Sequence, residues 1–295
     1  MGAFKFVSMF FLFTPSLSLI LCSFFCRADM NKNCSQQCSK SDSFSGESDF
    51  KANLKSLLES LAENGPVHNG FYSTSKGESS TQIFGLVQCR GDISANNCGS
   101  CIKNSSVFAL SECPESRDVV IWFRWCFLRY STDNFLGILD QTSVAVLNDT
   151  NYDDPSLVSD GQSLMSGLAS SVPYQSLMFQ IAVLEGGVRG KRYGMAQCTR
   201  DISGSDCGLC LNAQLDAFRT TIGSKKDWEV YGFNCFMWWK NNLELFWSVD
   251  DGSDDSLAAE SWHRICKFEE FSTWLCFYLV FLDCNSYLYL TCKAN

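Results

Sequence analysis

Two cysteine clusters with identical spacing are the residues of this chain best suited to chemistry. Both have the pattern C-x8-C-x2-C, the first in QCRGDISANNCGSC and the second in QCTRDISGSDCGLC. The six cysteines are Cys89, Cys98, Cys101, Cys198, Cys207 and Cys210. A C-x2-C pair serves as a redox centre, as half of a zinc site or as part of a disulfide framework.

The residues around the clusters favour a disulfide framework. A thioredoxin-type pair directly follows a buried strand, whereas polar DISANN and DISGSD precede these pairs. Zinc requires four ligands per site, and the two histidines, His68 and His263, do not occupy equivalent positions. We therefore predict structural disulfides, no metal and no cofactor.

The N-terminus predicts an oxidising compartment. Lys5 precedes the apolar run FVSMFFLFTPSLSLILCSFF, and Ala28 in the following CRADM suits cleavage. We expect residues 1–28 to be a signal peptide, with a retained membrane anchor as the alternative. Seventeen cysteines agree with a secreted protein, and a net charge of −9 argues against binding nucleic acid.

The chain contains an internal repeat. Cys89, Cys98, Cys101 and Cys126 recur 109 residues later as a second set, Cys198, Cys207, Cys210 and Cys235. Upstream, SLLESL at 56–61 matches SLMSGL at 163–168. The sequence thus predicts tandem domains at 29–148 and 151–249, followed by an acidic linker and an apolar tail at 250–295.

Each repeat has the pattern of an α+β domain. In the first repeat, residues 49–64 predict a helix that Gly65-Pro66 ends, and Ser94 or Asn96 can cap a second helix. The predicted apolar positions of these helices are Phe50, Leu54, Leu57, Leu58, Leu61, Ile102, Val107 and Phe108. QIFGLVQC reads as a strand, 119–130 as a central strand and 135–147 as its hairpin partner. We expect an antiparallel sheet with both helices on one face.

Comparison of the repeats limits the disulfide pairing. Cys113 is replaced by Ile222 in the second repeat, which also lacks a cysteine matching Cys34 or Cys38. The joint loss suggests that Cys113 bonds Cys34 or Cys38. The remaining cysteines then pair as Cys89–Cys98 and Cys101–Cys126, or as Cys89–Cys101 and Cys98–Cys126, with the same choice among the equivalent cysteines of the second repeat.

These residues resemble the ginkbilobin-like family of plant stress and antifungal domains. The cysteine spacing and the FGLVQC and YGMAQC strands carry the resemblance, which covers about 35–249. It implies two helices on a five-stranded antiparallel sheet in each domain, and the pairs Cys89–Cys98, Cys101–Cys126, Cys198–Cys207 and Cys210–Cys235. It also implies a non-enzymatic extracellular protein with a protein or cell-wall glycan as partner.

The resemblance also implies positions for binding mannose, and the residues there differ from the family's Asn, Arg and Glu. The first repeat has Ser35 or Ser39, Val120 and Ser131, and the second has Glu229 and Lys240. Because a sugar site needs fixed polar groups that meet hydroxyls, we expect no mannose binding through these positions.

Other features suggest binding and processing. Trp238 or Trp239 in CFMWWKNN could stack on a ligand, although strand alternation buries one of them. Asn104 and Asn148 lie in glycosylation sequons. Residues 271–290 are almost long and apolar enough to span a membrane.

We therefore expect a secreted, non-enzymatic binding module of the plant apoplast, active in defence or stress responses. The alternatives are a membrane-anchored, plasmodesmata-located type of protein and a mannose-binding antifungal lectin, which Val120 and Ser131 disfavour.

Overall fold

The computed structural model describes residues 31, 33–39, 47–147, 150–151, 154–185 and 190–240. The expected signal peptide at 1–28, Asn148, and the linker and tail at 250–295 lie outside the described residues.

Domain 1 is a five-stranded antiparallel sheet covered on one face by two helices. Its elements are β1 (Asn33–Cys38), α1 (Glu47–Asn64), β2 (Phe71–Lys76), β3 (Ile83–Cys89), α2 (Ala95–Glu112), β4 (Asp118–Phe123) and β5 (Cys126–Ser131). The strand order is β1-β4-β5-β3-β2, which places β5 in the centre. Two short 3₁₀ turns, Pro66–His68 and Ser79–Thr81, connect elements.

Domain 2 repeats this architecture. Its elements are β6 (Ser143–Leu147), α3 (Pro155–Ser171), β7 (Phe179–Glu185), β8 (Lys191–Cys198), α4 (Gly204–Ala217), the short α5 (Arg219–Ile222), β9 (Trp228–Gly232) and β10 (Cys235–Lys240). The strand order, β6-β9-β10-β8-β7, is that of domain 1, and the 3₁₀ turn Val172–Tyr174 follows α3. The predicted α+β tandem is confirmed.

Two strand predictions were wrong. Residues 119–130 form two strands, β4 and β5, joined at Arg124 and Trp125, instead of one. Residues 135–147 are not the hairpin partner of that segment, because β6 pairs with β9 in the second sheet. The strand at 143–147, which was expected in the first sheet, therefore belongs to the second sheet.

The helices follow from apolar periodicity and local caps. In α1 the five predicted apolar residues are all at most 5% exposed, and the helix ends immediately before Gly65. Ser94, and not Asn96, caps α2, because its Oγ accepts a hydrogen bond from the Asn97 N–H at 3.3 Å. Ile102 is buried as predicted, whereas Val107 is 68% exposed and does not belong to the core.

The sheet faces that carry no helices pack against each other and form an apolar layer between the domains, which we call the seam. Domain 1 contributes Leu86, Val120, Trp122, Phe127 and Phe135, and domain 2 contributes Tyr193, Met195, Tyr231, Phe233, Phe236 and Trp238. Trp122 is central: its ring centroid lies 6.2 Å from that of Tyr231 and its Nε1 donates to the Gly232 carbonyl at 3.0 Å. Burying both sheet faces joins the two domains into one unit.

Equivalent glutamines cross the seam in both directions. Gln88 Nε2 donates to the Cys198 carbonyl at 2.6 Å, and Gln197 Nε2 donates to the Cys89 carbonyl at 3.0 Å. The Gln88 Oε1 also accepts from the Arg200 N–H at 2.9 Å. The Gln-Cys motif of each domain therefore contacts the Gln-Cys motif of the other domain. The two domains are thus related by approximate two-fold symmetry.

A buried arginine holds the segment that joins the domains. The Arg129 guanidinium lies between the rings of Phe135 and Phe233, with centroid distances of 4.1 and 4.6 Å. It donates to Asp140 Oδ2 at 3.3 Å. Burial lowers the pKa of Arg129, an effect that Asp140 and Asp118 oppose. This stacking of Arg129 between two rings, which we call the arginine sandwich, attaches the segment that connects the domains to both sheets.

Candidate ligand-binding surfaces

Disulfides fix the position of the second helix in each domain. Cys98 and Cys101 lie in the first two turns of α2 and bond to different strands, Cys89 in β3 and Cys126 in β5. The same geometry recurs in Cys198–Cys207 and Cys210–Cys235. Because the two cysteines of each C-x2-C motif have separate partners, the motif is a staple between helix and sheet.

The fifth disulfide joins Cys38 at the end of β1 to Cys113 after α2. Cys34, one of the two candidate partners of Cys113, is half-buried and forms no disulfide among the described residues. In domain 2, Leu147 faces Trp228 in the register where Cys38 faces Val119. Leu147 and Ile222 therefore occupy the places of the missing disulfide.

In domain 1, the residues at the positions where the family resemblance implied mannose binding make contacts within the protein. Val120 is 1% exposed and packs in the seam. Ser39 Oγ accepts from the backbone N–H groups of Arg117 and Asp118 at 3.2 and 3.0 Å. Ser131 is buried, its Oγ accepts from the Asp133 N–H, and Ser35 lies within β1. These side chains serve the fold.

In domain 2 the equivalent positions form an ion pair. Glu229 lies in β9 and Lys240 at the end of the neighbouring strand β10, two residues beyond the Trp238 that faces Glu229, and Lys240 Nζ contacts Glu229 Oε1. Together with Arg124 and Trp125 of domain 1 they line a crevice of about 40 Å³. That volume holds a few waters at most, so the charges pair with each other beside the seam.

Trp238 and Trp239, the residues predicted to stack on a ligand, are both buried. Trp239 is 2% exposed in the core of domain 2, as alternation requires for one of the two. Trp238 points to the other side of the sheet, where domain 1 covers it and leaves 7% exposed. Neither indole offers a face to a sugar.

Three exposed apolar side chains lie at positions that the sequence analysis did not single out. Tyr174 is 88% exposed and Val67 is 74% exposed, each in the 3₁₀ turn after the first helix of its domain. Leu209 in α4 is 56% exposed. Only the Pro-x pattern after a helix marks these turns in the sequence, and it does not indicate exposure.

Two expectations concern the surface. Asn104, one of the two predicted glycosylation sites, is exposed on α2, where a glycan can be accommodated. Among the described residues no helix combines the length and apolarity that crossing a bilayer requires. The apolar segment 271–290 lies outside that part of the chain.

Known proteins are similar to this chain in sequence and in architecture. The family described as salt stress response/antifungal matches residues 33–133 and 148–242. An antimicrobial ginkbilobin-2-like protein of Castanea crenata is 30% identical over 168 residues, which cover 56% of this chain and 70% of that protein. Cysteine-rich repeat secretory protein 38 of Arabidopsis thaliana is 30% identical over 169 residues, covering 56% and 67%.

A solved structure agrees with the fold. The tandem DUF26 ectodomain of the Arabidopsis thaliana cysteine-rich receptor-like protein PDLP8 superposes with a TM-score of 0.62 at 26% identity, covering 71% of this chain and 98% of that one. The tandem fold is thus shared with that ectodomain. The chain belongs to the salt stress response/antifungal (DUF26) family as a tandem of two such domains.

Proposed function

We propose that this protein is a secreted, non-enzymatic binding module of the plant apoplast. It acts in defence or stress responses by binding a protein or a cell-wall glycan. Its similarity to an antimicrobial protein and to a secretory repeat protein supports this role.

The observation that carries the proposal is a pair of exposed apolar turns beside the seam. Two residues after Val67, the Asn69 carbonyl accepts from Arg200 Nη2 of domain 2 at 2.6 Å. Tyr174 lies five residues before Phe179, whose ring packs so closely on Gly91 that a Cβ there would lie 2.5 Å from Phe179 Cγ. Each domain thus presents an apolar side chain near the contact with its neighbour.

Rigid apolar anchors of this kind suit recognition of macromolecules. A tyrosine supplies a large contact area and a hydroxyl at a small cost in conformational entropy, and it can also stack on a sugar ring. Because each turn packs on the helix that the disulfides attach to the sheet, Pro66 beside Gly99 and Pro173 beside Gly208, binding would cost little reorganisation. We infer that Val67, Tyr174 and Leu209 contribute to the ligand surface.

The test is cross-linking from the proposed surface. The full-length protein, secreted from leaf cells with Tyr174→p-benzoylphenylalanine, is irradiated in wall fluid and on isolated cell walls. We expect a discrete adduct, and we expect Tyr174→Ala to weaken binding of the same ligand at least fivefold. The matched control is position 107, where Val107 is 68% exposed on α2. Equal labelling from 174 and 107, or equal affinity after Tyr174→Ala, would contradict the proposed surface.

A second candidate is a membrane-anchored protein of the plasmodesmata-located type that regulates traffic between cells. The structural similarity to the PDLP8 ectodomain favours it. Both candidates use the same ectodomain, and membrane fractionation of the full-length protein distinguishes them.

A further inference from the structure

The outer side of α2 carries two exposed apolar side chains about one turn apart. Val107 is 68% exposed and Leu110 is 47% exposed. Because residues three apart on a helix are neighbours on its surface, the two side chains form one strip, which we call the apolar strip. Among the described residues, neither belongs to the core of domain 1 or to the seam. The apolar strip therefore has no part in the packing that holds the domains together.

A glycosylation sequon lies at the N-terminal end of the apolar strip. Asn104, followed by Ser105 and Ser106, is exposed and stands three residues before Val107 on α2. Side chains of a helix lean towards its N-terminus, so Val107 leans towards the turn that carries Asn104. From Asn104 to Leu110 the helix rises about 9 Å, a distance that two linked sugar rings can cover. A glycan on Asn104 would thus lie within reach of the whole apolar strip.

Domain 2 provides an internal comparison, because its cysteines follow those of domain 1 at a constant offset of 109 residues. At this offset Asn104 corresponds to Ala213, so the second repeat has no sequon there. The two positions of the apolar strip correspond to Asp216 and Arg219, which form an ion pair at 2.5 Å with side chains 70% and 72% exposed. The repeat with a sequon thus has apolar residues at these surface positions, and the repeat without one has charges.

We propose that Asn104 carries an N-linked glycan whose first sugars lie on the apolar strip. The Asn104 side-chain nitrogen bonds to the anomeric carbon of an oligosaccharide carried on a lipid diphosphate; the nitrogen loses one proton and the lipid diphosphate leaves. An N-acetylglucosamine ring has a face of C–H groups, and placing this face on Val107 and Leu110 removes apolar area from water. Its hydroxyl groups stay in water at the edge of the ring. The glycan thereby closes the outer side of α2 to protein partners.

This proposal rests on entry into the secretory pathway, which is part of the proposed function, and it does not depend on the identity of the ligand. The ligand surface proposed above contains Val67, Tyr174 and Leu209, none of which lies on α2. A protein that stays in the cytosol would contradict both proposals. A secreted protein without a glycan on Asn104 would overturn only this one.

Footprinting of the secreted protein tests whether the glycan covers the apolar strip. The full-length protein and its Asn104→Gln variant are purified from leaf wall fluid, glycopeptide mass spectrometry measures occupancy at Asn104, and a photoactivated diazirine labels exposed side chains. We expect an occupied Asn104, and labelling of Val107 and Leu110 about threefold lower with the glycan than without it, since labelling follows exposed area. Leu209, 56% exposed on α4 of domain 2, is the control and should label equally in both proteins.

A second measurement separates contact with the apolar strip from a general effect of the glycan. Val107→Asp combined with Leu110→Arg introduces the charge pair of domain 2. Asn104→Gln should lower the Tm of the unmodified chain by about 2–4 °C more than that of the charge-pair variant, because only the unmodified chain loses apolar contact with the sugar. The footprinting needs no change in the apolar strip, so it decides the proposal even if the charge-pair variant does not fold. Absence of the glycan on Asn104, equal labelling of the apolar strip with and without it, or equal losses of Tm would overturn the proposal.

Discussion

Replacing Gln88 by methionine should destabilise the tandem more than replacing its counterpart Gln197. Methionine keeps the side-chain volume and removes the polar groups. Gln88 makes two buried contacts across the seam, to the Cys198 carbonyl and the Arg200 N–H, whereas Gln197 makes one, to the Cys89 carbonyl. The Gln197 Oε1 is buried without a hydrogen-bond partner, so its removal relieves a cost.

The magnitudes follow from the groups left behind. Each buried backbone group that loses its partner costs about 1–3 kcal/mol. We therefore expect Gln88→Met to lower the free energy of unfolding by about 3 kcal/mol and Gln197→Met by about 1 kcal/mol. The assay is equilibrium unfolding in guanidinium chloride under non-reducing conditions, followed by tryptophan fluorescence. Equal losses, or a larger loss for Gln197→Met, would refute this account of the seam.

Three further predictions concern the sugar positions, the arginine sandwich and pH. Calorimetry of the secreted protein with mannose should show no saturable binding, because Val120 and Ser131 are buried; millimolar binding abolished by changes at these residues would contradict this. Arg129→Met should lower the free energy of unfolding by about 2 kcal/mol, since it removes the cation from between two aromatic rings and from the Asp140 carboxylate. Unchanged stability would contradict this role of Arg129. Partial desolvation raises the pKa of Asp118, with the Arg129 charge opposing, although the residue is exposed, so the effect on stability is small. A carboxyl with a raised pKa in the folded state binds its proton more tightly there, so its contribution to stability decreases as pH rises through that pKa. Asp118→Asn should flatten this slope in melts between pH 3.5 and about 7, and an unchanged slope would contradict it.

Local sequence patterns were sufficient to predict the helices whose apolar periodicity or capping residue is clear. The stripe from Phe50 to Leu61 and the Ser94 cap predicted α1 and the start of α2, because both depend on residues within one or two turns. The turn at Arg124 and Trp125 contains no glycine, proline or asparagine, so its own residues carry no local signal of a hairpin. The pairing of β6 with β9 depends on contacts more than 80 residues apart along the chain.

The surfaces were harder to predict, because they depend on what covers them. Alternation correctly separated Trp238 from Trp239, but only the structure shows that the sheet of domain 1 covers Trp238. The exposure of Tyr174 has the same origin, since none of the residues that the structure describes covers its side chain.

The location of the protein in the plant tissue tests the central claim, that it is a secreted binding module, most directly. The full-length protein, fused to a fluorescent tag at its C-terminus, is expressed in leaf cells, and wall fluid and membranes are separated and assayed. A secreted binding module should appear in wall fluid without detergent, with an N-terminus near residue 29. Retention in the membrane fraction after a high-salt wash would contradict free secretion and favour the anchored alternative, and fluorescence confined to the cytosol would contradict both.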